Sequence, residues 1–115
     1  MNDDFKTKLV AALRSGKYVQ DAGKHHTLRT KTEQGECYCV MGVVADVLDP
    51  QGWSGNPDAN EHYLFHDNYS ACLSPADLLA IGMTADEQWD EFIYPNDRGE
   101  LTFAQFADRL EAANA

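Results

Sequence analysis

The chain has 115 residues, 43% of them apolar, and a formal net charge of −10. That length holds one domain, residues 1–115, with one core and no room for a second, and the apolar fraction argues against disorder. No run of about 18 apolar residues exists, so no helix is expected to span a membrane.

The charge is placed unevenly. Residues 1–36 hold seven Lys/Arg against five Asp/Glu, a balance of +2, whereas residues 37–115 hold two against fourteen, a balance of −12. Phosphate backbones and anionic lipid surfaces need cations, so direct nucleic-acid and membrane binding are disfavoured for the C-terminal two thirds. A basic partner protein suits such a surface, although solubility alone also explains it. The opening "MNDDFKTKLVAALRSG" has the features of neither a signal nor a transit peptide. Cys37, Cys39 and Cys72 form an odd set without a disulfide framework spacing, which suits free thiols in a reducing, cytoplasmic setting.

In chain order, Phe5, Leu9, Val10 and Leu13 recur at helical spacing and Gly16 stands at a stop, predicting a helix over 3–15. "HTLRTK" reads as one short edge strand. Val40, Met41, Val44, Val47 and Leu48 form a wide apolar helical face that Pro50 ends. Gly42 within it costs about 1 kcal/mol against Ala, so another backbone is expected to approach closely there. "PQGWSGNPDANE" reads as a loop, and "HYLFHDNYSACL" as a hairpin turning at His66, Asp67 and Asn68.

The last third has consistent local signals. Ser74 is an N-cap with Pro75 behind it, Leu73 and Leu78 suit a hydrophobic staple, and Gly82 ends that helix. Thr84 with Glu87 forms a capping box for a helix carrying Trp89, Phe92 and Ile93. Thr102 with Gln105 forms another, with Leu101 and Phe106 as its staple, for a helix presenting Phe103, Phe106, Ala107 and Leu110 to the core. The expected fold is α+β: a mainly helical single domain of about five helices with a small antiparallel hairpin or sheet.

The residue types raise three chemistries. The acidic loop in "YPNDRGELTFAQF" imitates a calcium-binding loop, but setting Gly99 sixth puts Tyr94 first and Gln105 twelfth, where carboxylates are required. Zinc has Cys37 and Cys39 as thiolates and His25, His26, His62 or His66 as imidazoles, without the usual two-residue spacing or a matched second half. A cysteine nucleophile ahead of the apolar helix has the right kind of position, yet Cys beside so apolar a helix reads more simply as packing. No catalytic residue, metal or cofactor is therefore expected. The remaining candidate is the cluster Asp86, Glu87, Asp90, Glu91, Asp97 and Glu100. Helix-dipole stabilisation accounts for Asp86 and Glu87, while Asp90 and Glu91 have no local reason and stand as partner-binding candidates against a plain solvated face.

Two blocks, "LRSGKYVQ…YCVMGVVADVL" and "LSPADLLAIGM…NDRGELTFAQFADRLE", resemble a group of small phage and prophage proteins with no assigned activity. In that group a short helix end precedes a Cys-bearing G-V helix, and a closing helix follows an N-D-x-G turn. Asn96, Asp97, Gly99, Phe103, Phe106 and Ala107 fall on the closing pattern. Two departures stand out: Tyr38 separates cysteines that the group pairs directly, and residues 51–61 have no counterpart.

The resemblance implies a phage setting, in which small acidic proteins bind and block host defence machinery. The expected function is that of a non-enzymatic phage-type protein in the host cytoplasm. It would bind and inhibit a basic host protein or a nucleoprotein effector complex, for instance as an anti-CRISPR or other anti-defence inhibitor with a nucleic-acid-mimicking surface. A Cys- or zinc-dependent hydrolase using Cys37 or Cys39 with a histidine is the alternative, and a phage structural component the third reading. The sequence leaves the oligomeric state open.

Overall fold

The computed structural model describes residues 1–21, 27–33, 35–55, 63–68 and 71–113. Helix α1 (Asp3–Arg14) carries Asp3 and Asp4 in its first turn and Arg14 in its last, matching the helix dipole, and buries Leu9, Val10 and Leu13. Gly16 follows in the left-handed region at φ 74°. Arg14 donates to Asp108 at 2.7 Å and to Glu111, which clips α1 to the last helix. The Asn2 amide donates to Ile81 O at 2.8 Å, so the start of the chain also closes a helix end elsewhere.

Strands β1 (Val19–Gln20), β2 (Arg29–Thr32) and β3 (Gly35–Tyr38) make a sheet in the order β1-β3-β2. β3 is parallel to β1 and antiparallel to β2, which places the "HTLRTK" strand at an edge as expected. Only Cys39 separates β3 from α2 (Val40–Leu48), whose Val40, Met41, Val43 and Val44 are wholly buried. The close approach expected at Gly42 is present: a Cβ there would stand 1.8 Å from the Leu28 carbonyl oxygen. That same oxygen accepts from the Cys39 amide at 3.1 Å, so the chain entering β2 lies directly on the first turn of α2.

The expected hairpin needs correction. Its first strand is β5 (Leu64–Phe65), but the partner is β4 (Trp53–Ser54), inside the segment read as loop, with Trp53 opposite Phe65. The turn itself forms: His66 and Asp67 have φ of 50° and 60°, and the Asn68 amide donates to Phe65 O at 2.9 Å. Among the described residues, pairing beyond the turn is the single Phe65–Asn68 bridge; residues 71–73 are not a strand, and Tyr69 and Ser70 lie outside the described residues. The Trp53 indole is the physical reason. It donates to Asp46 Oδ1 at 2.9 Å and packs on the Phe65 ring at 5.0 Å, anchoring β4 between α2 and β5.

Helix α3 (Pro75–Ile81) starts as predicted, with Ser74 Oγ accepting from the Asp77 amide, and ends at left-handed Gly82. The Thr84–Glu87 capping box opens α4 (Ala85–Glu87), which continues without a break through a π-helical segment (Gln88–Ile93) into α5 (Tyr94–Asp97). The acidic stretch after Ile93, expected as a loop, is therefore helical as far as Asp97. Pro95 has no N–H to give and its ring would crowd the carbonyl four residues earlier, constraints that a wider turn just ahead of it relieves. Phe92 and Ile93 are buried, and Trp89 is 38% exposed. Helix α6 (Phe103–Ala112) has both bonds of its Thr102–Gln105 capping box and buries Phe103, Phe106 and Ala107.

One buried amide joins these parts. Asn96 is 0% exposed. Its Oδ1 accepts from the Val40 amide at 3.1 Å and from Gln20 Nε2 at 3.0 Å, and its Nδ2 donates to Asp21 O at 2.9 Å. Gln20 also donates to Leu101 O and accepts from the Phe103 amide. The result is a helix-rich α+β domain with one core. Among the described residues, no helix is long and apolar enough to cross a membrane.

Replacing Gly42 by Ala tests the packing of β2 on α2. The change stabilises an ordinary helix by roughly 1 kcal/mol. Here the added methyl meets backbone, so a loss of about 2 kcal/mol or more is expected in denaturant unfolding. A stabilised variant would disprove the close approach.

Candidate functional site

The helical run from α4 to α5 carries five of the six candidate carboxylates, and Glu100 follows it. They do not form a single ligand-like cluster. Glu87 accepts from the Thr84 amide at 3.2 Å and so serves the helix cap. Asp97 receives a long contact from Asn96 Nδ2 at 3.4 Å, and Glu100 stands 3.8 Å from Arg98 in a loose, exposed pair. Asp86, Asp90 and Glu91 are exposed and make no ion pair among the described residues.

These three carboxylates share their helical run with two exposed rings. Trp89 and Tyr94 are 38% and 43% exposed, and their centroids lie 5.7 Å apart. Side chains five apart on an α-helix diverge by about 140°, since each residue turns by about 100°. On the π turn the Tyr94 amide bonds Trp89 O, five residues back, which narrows that divergence and pairs the rings. Arg98 lies over the outer part of this pair, 5.3 Å from the Tyr94 centroid. The reverse side of the run is fixed: Phe92 and Ile93 enter the core, and buried Gln88 accepts from the Leu73 amide at 2.7 Å. A hollow of about 100 Å³ lined by Glu91, Phe92, Phe106, Arg109 and Leu110 adjoins it, with room for no more than a small side chain.

The arrangement combines rigid backing, large exposed aromatics and uncompensated negative charge. Aromatic anchors of this kind dominate protein interfaces, and charge around them steers encounter. The carboxylates were visible in the sequence. The ring pair was not, because a spacing of five places residues on different faces of any α-helix; Pro95 close behind Tyr94 was the available signal.

The thiols occupy other surroundings. Cys37 lies in β3 and Cys39 is the N-cap residue of α2; both are buried, Cys72 is half-buried, and all three are thiols outside any disulfide. Burial pushes the Cys39 thiol up to about 12, outweighing the Gly42 and Met41 amides that favour its thiolate. Cys37 Sγ contacts Thr32 Oγ1 at 3.6 Å and Gly35 O at 3.8 Å. His66 is not placed to serve a thiol, because its Nδ1 and Nε2 stand 2.8 Å from Asp77 and Asp49. His25, His26 and His62 lie outside the described residues. Among the described residues, no three His, Cys, Asp or Glu side chains are arranged to hold a metal ion.

A second polar centre is closed by the chain itself. The Arg29 guanidinium lies 4.2 Å from the Tyr63 ring centroid and 5.1 and 5.2 Å from those of Tyr38 and Trp53. Its Nε bonds Glu36 at 3.2 Å, and Tyr63 donates to the other Glu36 oxygen at 2.6 Å. Behind it, buried Asp46 accepts from Tyr18 and Trp53. Desolvation pushes the Tyr38 hydroxyl up to about 12 and raises Tyr18 as well. This aromatic box already contains its cation and joins β2, β3, β4 and α2.

The family described as Domain of unknown function (DUF8296) matches residues 1–79, more than half of the chain, and the chain belongs to it. No curated protein and no solved structure matches the chain. The matched region takes in the sheet, the Arg29 box, α2 and most of α3, and stops short of the acidic, aromatic-bearing helix.

Alkylation of the native chain near neutral pH is expected to spare Cys39 for as long as the fold holds, with complete modification in denaturant. Mass mapping of the labelled peptide decides this. Fast native labelling would overturn the packing role and return the thiol to consideration as a nucleophile.

Proposed function

We propose that this chain is a non-enzymatic, phage-type binding protein. Its acidic helix would dock on the basic groove of a host nucleic-acid-handling protein and block it. The observation that carries the reading is the exposed Trp89–Tyr94 pair, brought together by the π turn on the helical run that also carries Asp86, Asp90 and Glu91. Between residues 85 and 100 six carboxylates face a single cation, Arg98.

The physical logic is imitation of a nucleic-acid strand. A groove that tracks such a strand offers cations to phosphates and stacking surfaces to bases. Carboxylates here would stand in for phosphates, and the two rings for bases. An effector complex of a host defence system, such as a CRISPR effector, is the concrete partner class, and the resemblance to phage and prophage proteins supports that setting. Support for a role without chemistry comes from Cys39, whose thiol stays protonated at neutral pH, and from His66, whose two ring nitrogens are both engaged.

The test is capture of partners from a bacterial host with active defence systems, followed by binding measurements on the purified pair. The parent would be compared with Trp89→Ala and with the triple variant Asp86→Lys, Asp90→Lys, Glu91→Lys. Glu87 is left in place because it caps the helix. A nucleic-acid-binding effector should be recovered by the parent and displaced by its own nucleic acid, with affinity falling steeply as salt rises. Trp89→Ala should weaken binding at least tenfold, as loss of an anchor residue does. Salt-independent affinity would rule out mimicry, equal binding by all three forms would rule out this face, and self-association alone would favour a phage structural component.

A further inference from the structure

The strained turn after β5 has a chemistry that the binding reading does not use. His66 sits in the left-handed region at φ 50°, its ring stacked on Phe65 at 4.0 Å between centroids. Nδ1 faces Asp77 Oδ1 and Nε2 faces Asp49 Oδ2, each at 2.8 Å. Asp49 is the C-cap residue of α2, and Asp77 lies in the first turn of α3. One imidazole therefore holds two helices and the turn of the small sheet together. The His66 amide adds a bond to Gly52 O at 3.0 Å, and Gly52 lies so close that a Cβ there would stand 2.8 Å from the ring.

A neutral imidazole has one N–H and cannot donate to two carboxylates, whereas an imidazolium can. Both contacts coexist as hydrogen bonds only when the ring is protonated. The two carboxylates are unequal. Asp77 is 8% exposed, and its Oδ2 is buried without a partner, so its Oδ1 depends on the His66 donor. The Asp49 side chain is 43% exposed, and its Oδ1 also accepts from the Gln51 amide at 3.1 Å, so water readily replaces the histidine there.

We propose that His66 is a pH-sensitive clasp: loss of the Nε2 proton to solvent frees Asp49 at the end of α2, while Nδ1–H keeps the turn on Asp77 of α3. Among the described residues, Asp49 and Asp77 are the charged groups facing the ring, Asp49 from the end of α2 and Asp77 from α3; Gly52 and Phe65 contribute no charge. The hydrogen bonds to Asp49 and then Asp77 raise the His66 pKa above its ordinary value, against a small opposing desolvation. A raised histidine contributes stability that is fully present below about pH 6.5 and is lost as pH rises through the folded midpoint. Asp49 is lowered chiefly by the same bond, so from its side the contact persists until pH falls through the depressed carboxylate value. The clasp is thus closed between the depressed Asp49 value and the raised His66 midpoint, and opens above that midpoint.

Imidazole nitrogen NMR on the full chain through a pH titration tests this, with His66→Asn identifying the resonance among the four histidines. Asn tolerates the left-handed backbone at this position. His66 should titrate above free histidine, its neutral form should carry the proton on Nδ1, and Asp49→Asn should lower its midpoint. Amide exchange at His66 should accelerate above that midpoint. A midpoint at or below the free value, a neutral Nε2–H form, or a midpoint unmoved by Asp49→Asn would each overturn the clasp. If His66→Asn fails to fold, through-bond correlation of the ring to the His66 backbone assigns the resonance in the parent.

Discussion

The fold depends on how its central helix begins. α2 is apolar on nearly every side, and its N-cap residue, Cys39, makes no side-chain cap hydrogen bond. A buried helix start with unmet amides is costly, since each unsatisfied buried donor forfeits about 1–3 kcal/mol. Asn96, fifty-six residues further along, supplies the acceptor for the Val40 amide. Its amide orientation has one consistent solution, with the oxygen towards two donors and the nitrogen towards the Asp21 carbonyl. Because Gln20 bridges Asn96 to both Leu101 and Phe103, the entrance to α6, the end of β1 and the start of α2 are fixed by two side-chain amides. The segments "LRSGKYVQ…YCVMGVVADVL" and "NDRGELTFAQF" thus meet at this point, which gives their polar residues Gln20 and Asn96 a structural explanation.

What could be read in advance follows from the range of each interaction. Ser74, Thr84 and Thr102 act within three residues of themselves, and their caps formed as their spacing indicated. Gly42 was legible because a glycine in so apolar a helix needs a reason, and the Leu28 carbonyl is that reason. β1, β4 and β5 are two residues long and are specified by partners far away in sequence, so alternation cannot reveal them. The hairpin misreading has the same origin. The turn residues His66 and Asp67 were recognisable, whereas the anchoring of Trp53 on Asp46 is tertiary. The six carboxylates were legible as composition, but which of them cap, pair or stay free required the backbone.

The charge asymmetry also changes meaning once the chain is folded. The two arginines of the first third are paired within the molecule. Arg14 answers Asp108 and Glu111 on α6, and Arg29 is enclosed by three rings and Glu36. Neither removes charge from the helix that carries Asp86, Asp90 and Glu91. Asp86, Asp90 and Glu91, which make no ion pair among the described residues, thus lie beyond the family-matched region, which ends at residue 79. The acidic helix is nevertheless tied into that region, supplying the Asn96 oxygen to the Val40 amide at the start of α2 and the Gln88 oxygen to the Leu73 amide.

The π turn is where local and global demands diverge. A regular α-helix over residues 85–97 would direct Trp89 and Tyr94 to different sides, leaving one or both against the core or alone in solvent. π segments are rare, and those found within helices are frequently at functional sites. Here the wide turn follows from Pro95, whose missing N–H and bulky ring cannot continue an α ladder. Its structural consequence is to leave Phe92 and Ile93 in the core while two large, partly exposed rings lie side by side at the surface. Core packing needs only the first half of that outcome. Departures from local regularity without a gain in burial concentrate where a protein meets something else, and on that ground the Trp89–Tyr94 face, rather than the acidic composition alone, carries the functional argument.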